Sequence, residues 1–217
     1  MADIIEGTKP TRMELLQLRK RVVLAERGHR LLKEKRDALI SEFLSIAGNV
    51  RSIREQAQQQ LAAAYTDMLQ AQAVMGIGSV REVSRNAAQD LQVHMKSRNI
   101  MGVTVPIIES DKAERTLIRR GYGFADTSAK LDEAAQKMEQ AIEAIVGLAE
   151  VEETVRRLAL EVEKTKRRVN ALEYIVVPRL RATVKYIRMR LDEIERESFT
   201  RLKKIKAVLD ERARQEG

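Results

Sequence analysis

The stretch Lys166-Arg167-Arg168-Val169-Asn170-Ala171-Leu172-Glu173-Tyr174-Ile175-Val176-Val177-Pro178-Arg179-Leu180 decides the fold. Leading into it and through it, apolar residues step by three and four: Val155, Leu158, Val162, Val169, Leu172 and Val176, with Thr165 the one polar member. That spacing holds them on one stripe of a helix and makes a coiled-coil seam. Past Pro178 the stripe resumes one residue late, at Leu180, Val184, Ile187, Leu191 and Ile194. A kink or local register shift is therefore expected there. A seam needs a partner, and the other end of the chain supplies one.

From Leu15 two heptad sets interleave. The first is Leu15, Val22, His29, Arg36, Phe43, Val50 and Ala57; the second is Leu18, Ala25, Leu32, Leu39, Ile46, Ile53 and Gln60. Only His29, Arg36 and Gln60 interrupt them. Pro10 and Thr11 open the helix, the threonine as a cap for free amides. Gly76 and Gly78, in Met75-Gly76-Ile77-Gly78, supply its stop. At ~1.5 Å per residue such a helix spans on the order of 95 Å, too long to bury its stripe in an ordinary globule. Gly28 and Gly48 inside it are read as points where a neighbouring helix comes close.

Composition agrees with long helices: aromatic residues are 3% and charged residues 33% of 217, with three prolines. Without cysteine the chain has neither disulfides nor thiolate metal sites. No signal-peptide pattern or apolar run of ~20 residues appears, so a cytoplasmic chain that meets a membrane only through partners is expected. The net charge of +8 invites a nucleic-acid reading. With three Phe, four Tyr and no Trp, base-stacking surfaces are scarce, and a basic end that enters something negative fits better.

The expected organisation is a flexible lead over 1–10, a coiled-coil helix over 11–75, a small insert over 76–127 and a second coiled-coil helix over 128–217. Ser128 is read as the cap of that last helix, and Leu202, Ile205 and Leu209 as carrying its seam to the last turns. The fold class is all-α dominated: a long antiparallel two-helix coiled coil, with an insert of a short helix and a β-hairpin. The hairpin is read from Leu91 to Met95 and from the β-branched run Ile100 to Ile108, turning near Ser97-Arg98-Asn99. Gly121-Tyr122-Gly123-Phe124 reads as a loop.

Catalytic chemistry is not legible. There is no phosphate-binding glycine loop ending in lysine and serine or threonine, and no metal-ligand spacing around the two histidines. His29 reads as a packed, hydrogen-bonded seam residue. Arg36 reads as a snorkelling side chain at a loosened layer in preference to a register device. Carboxylates such as Glu152 and Glu153 read as a solvated face, Glu152 pairing with Arg156.

Several stretches together resemble one family. They are Pro10-Thr11-Arg12-Met13-Glu14-Leu15-Leu16, Gly28 to Leu39 (Gly-His-Arg-Leu-Leu-Lys-Glu-Lys-Arg-Asp-Ala-Leu), Lys164 to Glu173, Val177-Pro178, and Arg201-Leu202-Lys203-Lys204-Ile205-Lys206. More weakly, Asn99-Ile100-Met101 and Val105-Pro106 extend the likeness into the insert. The chain resembles the D subunit of the archaeal and vacuolar-type rotary ATPases. The resemblance implies a non-catalytic central rotor shaft, without cofactor or metal, that carries torque between a membrane ion-translocating ring and a hexamer of catalytic A and B subunits. It implies further contacts with the F subunit and with the socket subunit above the ring, and none with nucleic acid. Arg12, Arg19, Arg201, Lys203 and Lys204 become candidates for the hexamer side, and Met101, Val103, Val105 and Ile107 for the lower end. The alternatives are a coiled-coil tether outside the rotary enzymes and a basic coiled coil that binds nucleic acid.

Overall fold

The computed structural model describes residues 4–5, 7–86, 92–110, 122 and 127–215. In chain order the elements are α1 (Arg12–Met75), α2 (Ile77–Asn86), β1 (Val93–Ile100), β2 (Val103–Ser110), α3 (Ala129–Ala171), a π-helical turn (Leu172–Val176) and α4 (Val177–Gln215). They form two compact units, one of Met1–Arg36 with Lys164–Gly217 and one of Asp37–Glu163.

In the first unit the opening of α1 runs antiparallel to α4. Arg12 meets Glu195 at 2.5 Å, Glu26 meets Arg181 at 2.6 Å and His29 meets Glu173 at 3.4 Å, so positions rise on one helix as they fall on the other. Between these rails Leu18, Leu180 and Ile187 are buried, flanked by Leu15, Val22, Ala25, Val184 and Leu191. Thr11 caps α1 as expected, its hydroxyl accepting the Glu14 N–H at 3.2 Å. The lead, expected to be flexible, is tied down in part. Ile5 packs on the leucine cluster, and its N–H donates at 3.1 Å to Oγ1 of the buried Thr183.

The expected register shift is present as the π turn. Pro178 brings no N–H, and the preceding Val177 N–H bonds to the carbonyl of Leu172, five residues back. The wider turn takes in one extra residue. Val176, expected on the seam, is instead left 37% exposed while Val177 is 9% exposed, and the buried stripe continues through Leu180, Thr183 and Ile187.

In the second unit α1 runs antiparallel to α3, with Arg54 meeting Glu152 at 2.8 Å and the largely buried Asp67 meeting Lys137 at 2.5 Å. Leu39 and Leu158, one from each helix, enclose Val103 and Val105 of β2, with Phe43, Ile46, Ile100 and Val162 around them. A second cluster, Ala71, Val80 and Leu131, fixes α2 against the two long helices. Of the two glycines expected to stop α1 only Gly76, at φ 83°, makes the left-handed turn; Gly78 lies inside α2.

Five further expectations change. The hairpin turns at Met101-Gly102, not near Ser97 to Asn99: both turn residues have positive φ, 51° and 86°, which is the hairpin geometry that follows strand twist. Asn99 Oδ1 accepts the Gly102 N–H at 2.7 Å and fixes that turn. At Gly28 and Gly48 an added Cβ meets nothing within 4 Å, so no neighbouring helix comes close. Ser128 precedes α3, whose start at Ala129 is as expected, but its buried hydroxyl has no partner among the described residues; its carbonyl accepts from Leu131. Glu152 reaches across to Arg54, while Arg156 pairs with Glu153. Finally, Ile194, Leu202, Ile205 and Leu209 do not extend the seam but lie exposed, because α1 begins at Arg12 and Arg12 already faces Glu195. The loop expected at Gly121 to Phe124 lies, Tyr122 apart, outside the described residues, as does Leu91.

Candidate partner-binding surfaces

Among the described residues no group of histidine, aspartate and glutamate could hold a metal ion, and no helix is long and apolar enough to cross a membrane. His29 occupies its seam position half-buried, but its Nε2 makes only the 3.4 Å approach to Glu173, longer than a hydrogen bond. Arg36 is half-buried on the seam. A cavity of about 210 Å³ in the second unit is lined by Met68, Val80, Val83, Tyr122, Leu131 and Met138 and is almost wholly apolar. Beside it the Tyr122 hydroxyl donates to Asp132 at 2.8 Å.

What the first unit does offer is an unpaired helix. Beyond Glu195 every described side chain of α4 up to Asp210 is exposed. Phe199, Leu202, Ile205, Val208 and Leu209 are between 42% and 73% exposed. Arg201 and Lys204 border a shallow groove over Ile205, Val208 and Leu209. Lys203 stands exposed beside them, and Arg201 makes a loose 3.3 Å pair with Glu197 one turn back. Such a mixture of uncovered apolar side chains and cations is what a helix presents when it is completed by another chain. Arg12 and Arg19 lie seven residues apart on one edge of the α1 seam, both exposed; Arg12 is joined to α4 through Glu195. The structure thus brings Arg12 to the root of the unpaired stretch that carries Arg201, Lys203 and Lys204.

The four hairpin residues separate. Val103 and Val105 are buried on Leu39 and Leu158, Ile107 is half-buried, and Met101 stands 49% exposed at the turn. Sequence reading missed Phe199 and Val208 as exposed apolar groups. The signal was in the lengths: α1 has 64 residues, whereas α3 and α4 have 43 and 39 and are joined through the π turn, so the second arm outruns the first. It also missed Glu150 and Arg157 of α3, which clasp β2. Glu150 accepts the Ile108 N–H at 3.0 Å and Arg157 donates to the Thr104 carbonyl at 2.9 Å.

Fold and surfaces define a class: a coiled-coil protein of paired long helices with one helix left uncovered along its apolar and basic side chains. The particular member follows from comparison, since residues 14–207 match the family of the ATP synthase D subunit. The chain belongs to that family. It is 47% identical over 213 residues to the A-type ATP synthase D subunit of Thermococcus kodakarensis, covering 98% of this chain and 99% of that one. It is 51% identical over 210 residues to the A-type D subunit of Methanobrevibacter smithii, covering 97% and 91%, and 49% identical over 212 residues to that of Pyrococcus furiosus, covering 98% and 99%.

Proposed function

We propose that the chain is the central rotor shaft of an A-type ATP synthase, non-catalytic itself and peripheral to the membrane, transmitting torque between an ion-translocating ring and the catalytic A and B subunits. The observation that carries this reading is the uncovered length of α4 beyond Glu195, where apolar and basic side chains lie ready for another chain. On the hexamer side it uses Arg201, Lys203 and Lys204, with Arg12 and Arg19 at its root. The F subunit and the socket subunit above the ring take the remaining surfaces, Met101 marking the contact at the hairpin. The π turn, with its one extra residue, supports the reading physically. It interrupts the heptad repeat, so successive faces of the helix differ, and a shaft that biases nucleotide sites in turn needs such asymmetry.

The test is reconstitution of the chain with the A and B subunits and a bead fixed to an engineered cysteine at Ser79, in the exposed first turns of α2. Stepwise rotation of the bead driven by ATP is expected. A chain that joins the complex but stays fixed while ATP is hydrolysed overturns the rotor reading, and one that hydrolyses ATP alone overturns the non-catalytic one.

A further inference from the structure

The hairpin has two edges, and they are treated differently. Its two-residue turn closes on the pair Ile100 and Val103, so Ile100, Arg98, Lys96 and His94 exchange backbone bonds with Val103, Val105, Ile107 and Glu109. The alternate residues turn their N–H and C=O groups outward: Thr104, Pro106 and Ile108 on β2, and Asn99, Ser97, Met95 and Val93 on β1. The β2 edge is closed. Pro106 has no N–H to offer, the Thr104 carbonyl takes Arg157, and the Ile108 N–H takes Glu150. On β1 the position opposite Pro106 is Ser97, which keeps its donor. Among the described residues no hydrogen bond reaches the outward main-chain groups of Val93, Met95, Ser97 or Asn99.

The side chains of β1 are equally uncovered, every one from Val93 to Asn99 being exposed. They alternate in chemistry. Val93 and Met95 put apolar groups on one face, Met95 at 77% exposure. Lys96 and Arg98 put cations, and His94 an imidazole, on the other, and of the two cations only Lys96 has a carboxylate, Glu109 at 2.7 Å, among the described residues.

We propose that β1 receives a strand from another protein, an extended segment that alternates acidic with apolar residues. Outward backbone groups exist only at odd positions of β1, so an added strand sets its own residues opposite both parities in fixed alternation. Acidic side chains then face His94, Lys96 and Arg98, and apolar ones face Val93 and Met95. A second copy of the chain is the wrong occupant. Two β1 edges pair odd with odd, which sets Lys96 and Arg98 of one copy against the same cations of the other. The charge that protects this edge from its own kind selects an acidic partner. The inference stands on the hairpin alone and does not need the rotor reading.

The experiment uses the full chain and, as probe, a fluorescein-labelled eight-residue peptide alternating Glu with Val, beside its counterpart with Lys for Glu. Anisotropy is expected to show saturable binding of the acidic peptide only, weakening with salt, and amide exchange to show new protection at Met95, Ser97 and Asn99. Ser97→Pro removes one outward donor and is expected to weaken binding about fivefold, near the worth of one backbone hydrogen bond. Arg98→Glu leaves the backbone intact and is expected to weaken it by a similar factor. Circular dichroism of both variants establishes that the hairpin persists. Absence of binding to the wild-type chain, equal binding of both peptides, equal binding by Ser97→Pro, or self-association through β1 each overturns the proposal.

Discussion

At the scale of single residues, the glycines inside α1 are a liability without a packing reason. Gly48 is exposed and a Cβ there meets nothing, so Gly48→Ala reduces the freedom of the unfolded chain at no steric cost. The expected gain is about 0.5–1 kcal/mol in denaturant unfolding, read as a higher midpoint with unchanged slope. Glu153 makes a different kind of prediction. Hydrogen bonds first from Arg156 and then from Arg157 lower its pKa from 4.5 to about 2. A depressed acid binds fewer protons in the fold than in the unfolded chain, so its contribution is complete above about 4.5 and is lost as pH falls towards about 2. Carboxyl-carbon resonances are expected to place the Glu153 midpoint near 2, and Glu153→Gln to flatten the loss of stability across that window. A midpoint in the ordinary glutamate range overturns the assignment.

At the scale of elements, the π turn is an inserted residue and its removal has a definite consequence. Deleting the exposed Tyr174 shortens the step from Val169 to Val177 by one and restores a seven-residue spacing through Leu180, Val184 and Ile187. The turn is then expected to become α-helical, with the leucine cluster of the first unit intact and stability altered by less than about 1.5 kcal/mol. Amide exchange across 170–180 and thermal unfolding read this directly. Loss of the fold shows instead that the π geometry itself holds the unit. The existence of the shift was legible here, because a one-position delay in the stripe has few helical solutions, but its place was not: the extra residue falls in the turn before Pro178 and leaves Val176 off the seam. The hairpin was legible only in part: β-branched residues marked β2, but its turn depends on a side chain, Asn99, reaching the Gly102 amide, and on Met101 accepting positive φ, which no composition signals. Glu150 and Arg157 were hidden for a related reason. In sequence they are two more charges on an ordinary helix, and only the folded second unit shows that they finish a sheet edge.

At the scale of the whole molecule, stability and assembly are carried by different residues, and that separation can be tested. Leu18, Leu180 and Ile187 are buried in the first unit and Leu39 and Leu158 in the second, and each set packs its own unit. Arg201, Lys203 and Lys204 are exposed and, among the described residues, make no ion pair beyond the loose one of Arg201 with Glu197. The combined change Arg201→Glu, Lys203→Glu and Lys204→Glu is therefore expected to leave the unfolding midpoint of the isolated chain nearly unchanged, each exposed substitution falling within about 0.5 kcal/mol. Association with an assembly of A and B subunits is expected to slow on the order of tenfold or more, because charges at the edge of an interface act chiefly on encounter. That gap narrows as salt is raised towards 1 M, where the screening length falls to about 3 Å. Replacing Phe199, Leu202 and Ile205 by serine is the contrasting case. It removes uncovered apolar surface, so it is expected to speed dissociation at every salt concentration while the isolated chain remains folded. If both sets change the isolated chain's stability and neither changes its association, the uncovered length of α4 is an inert extension and the rotor reading loses its main support.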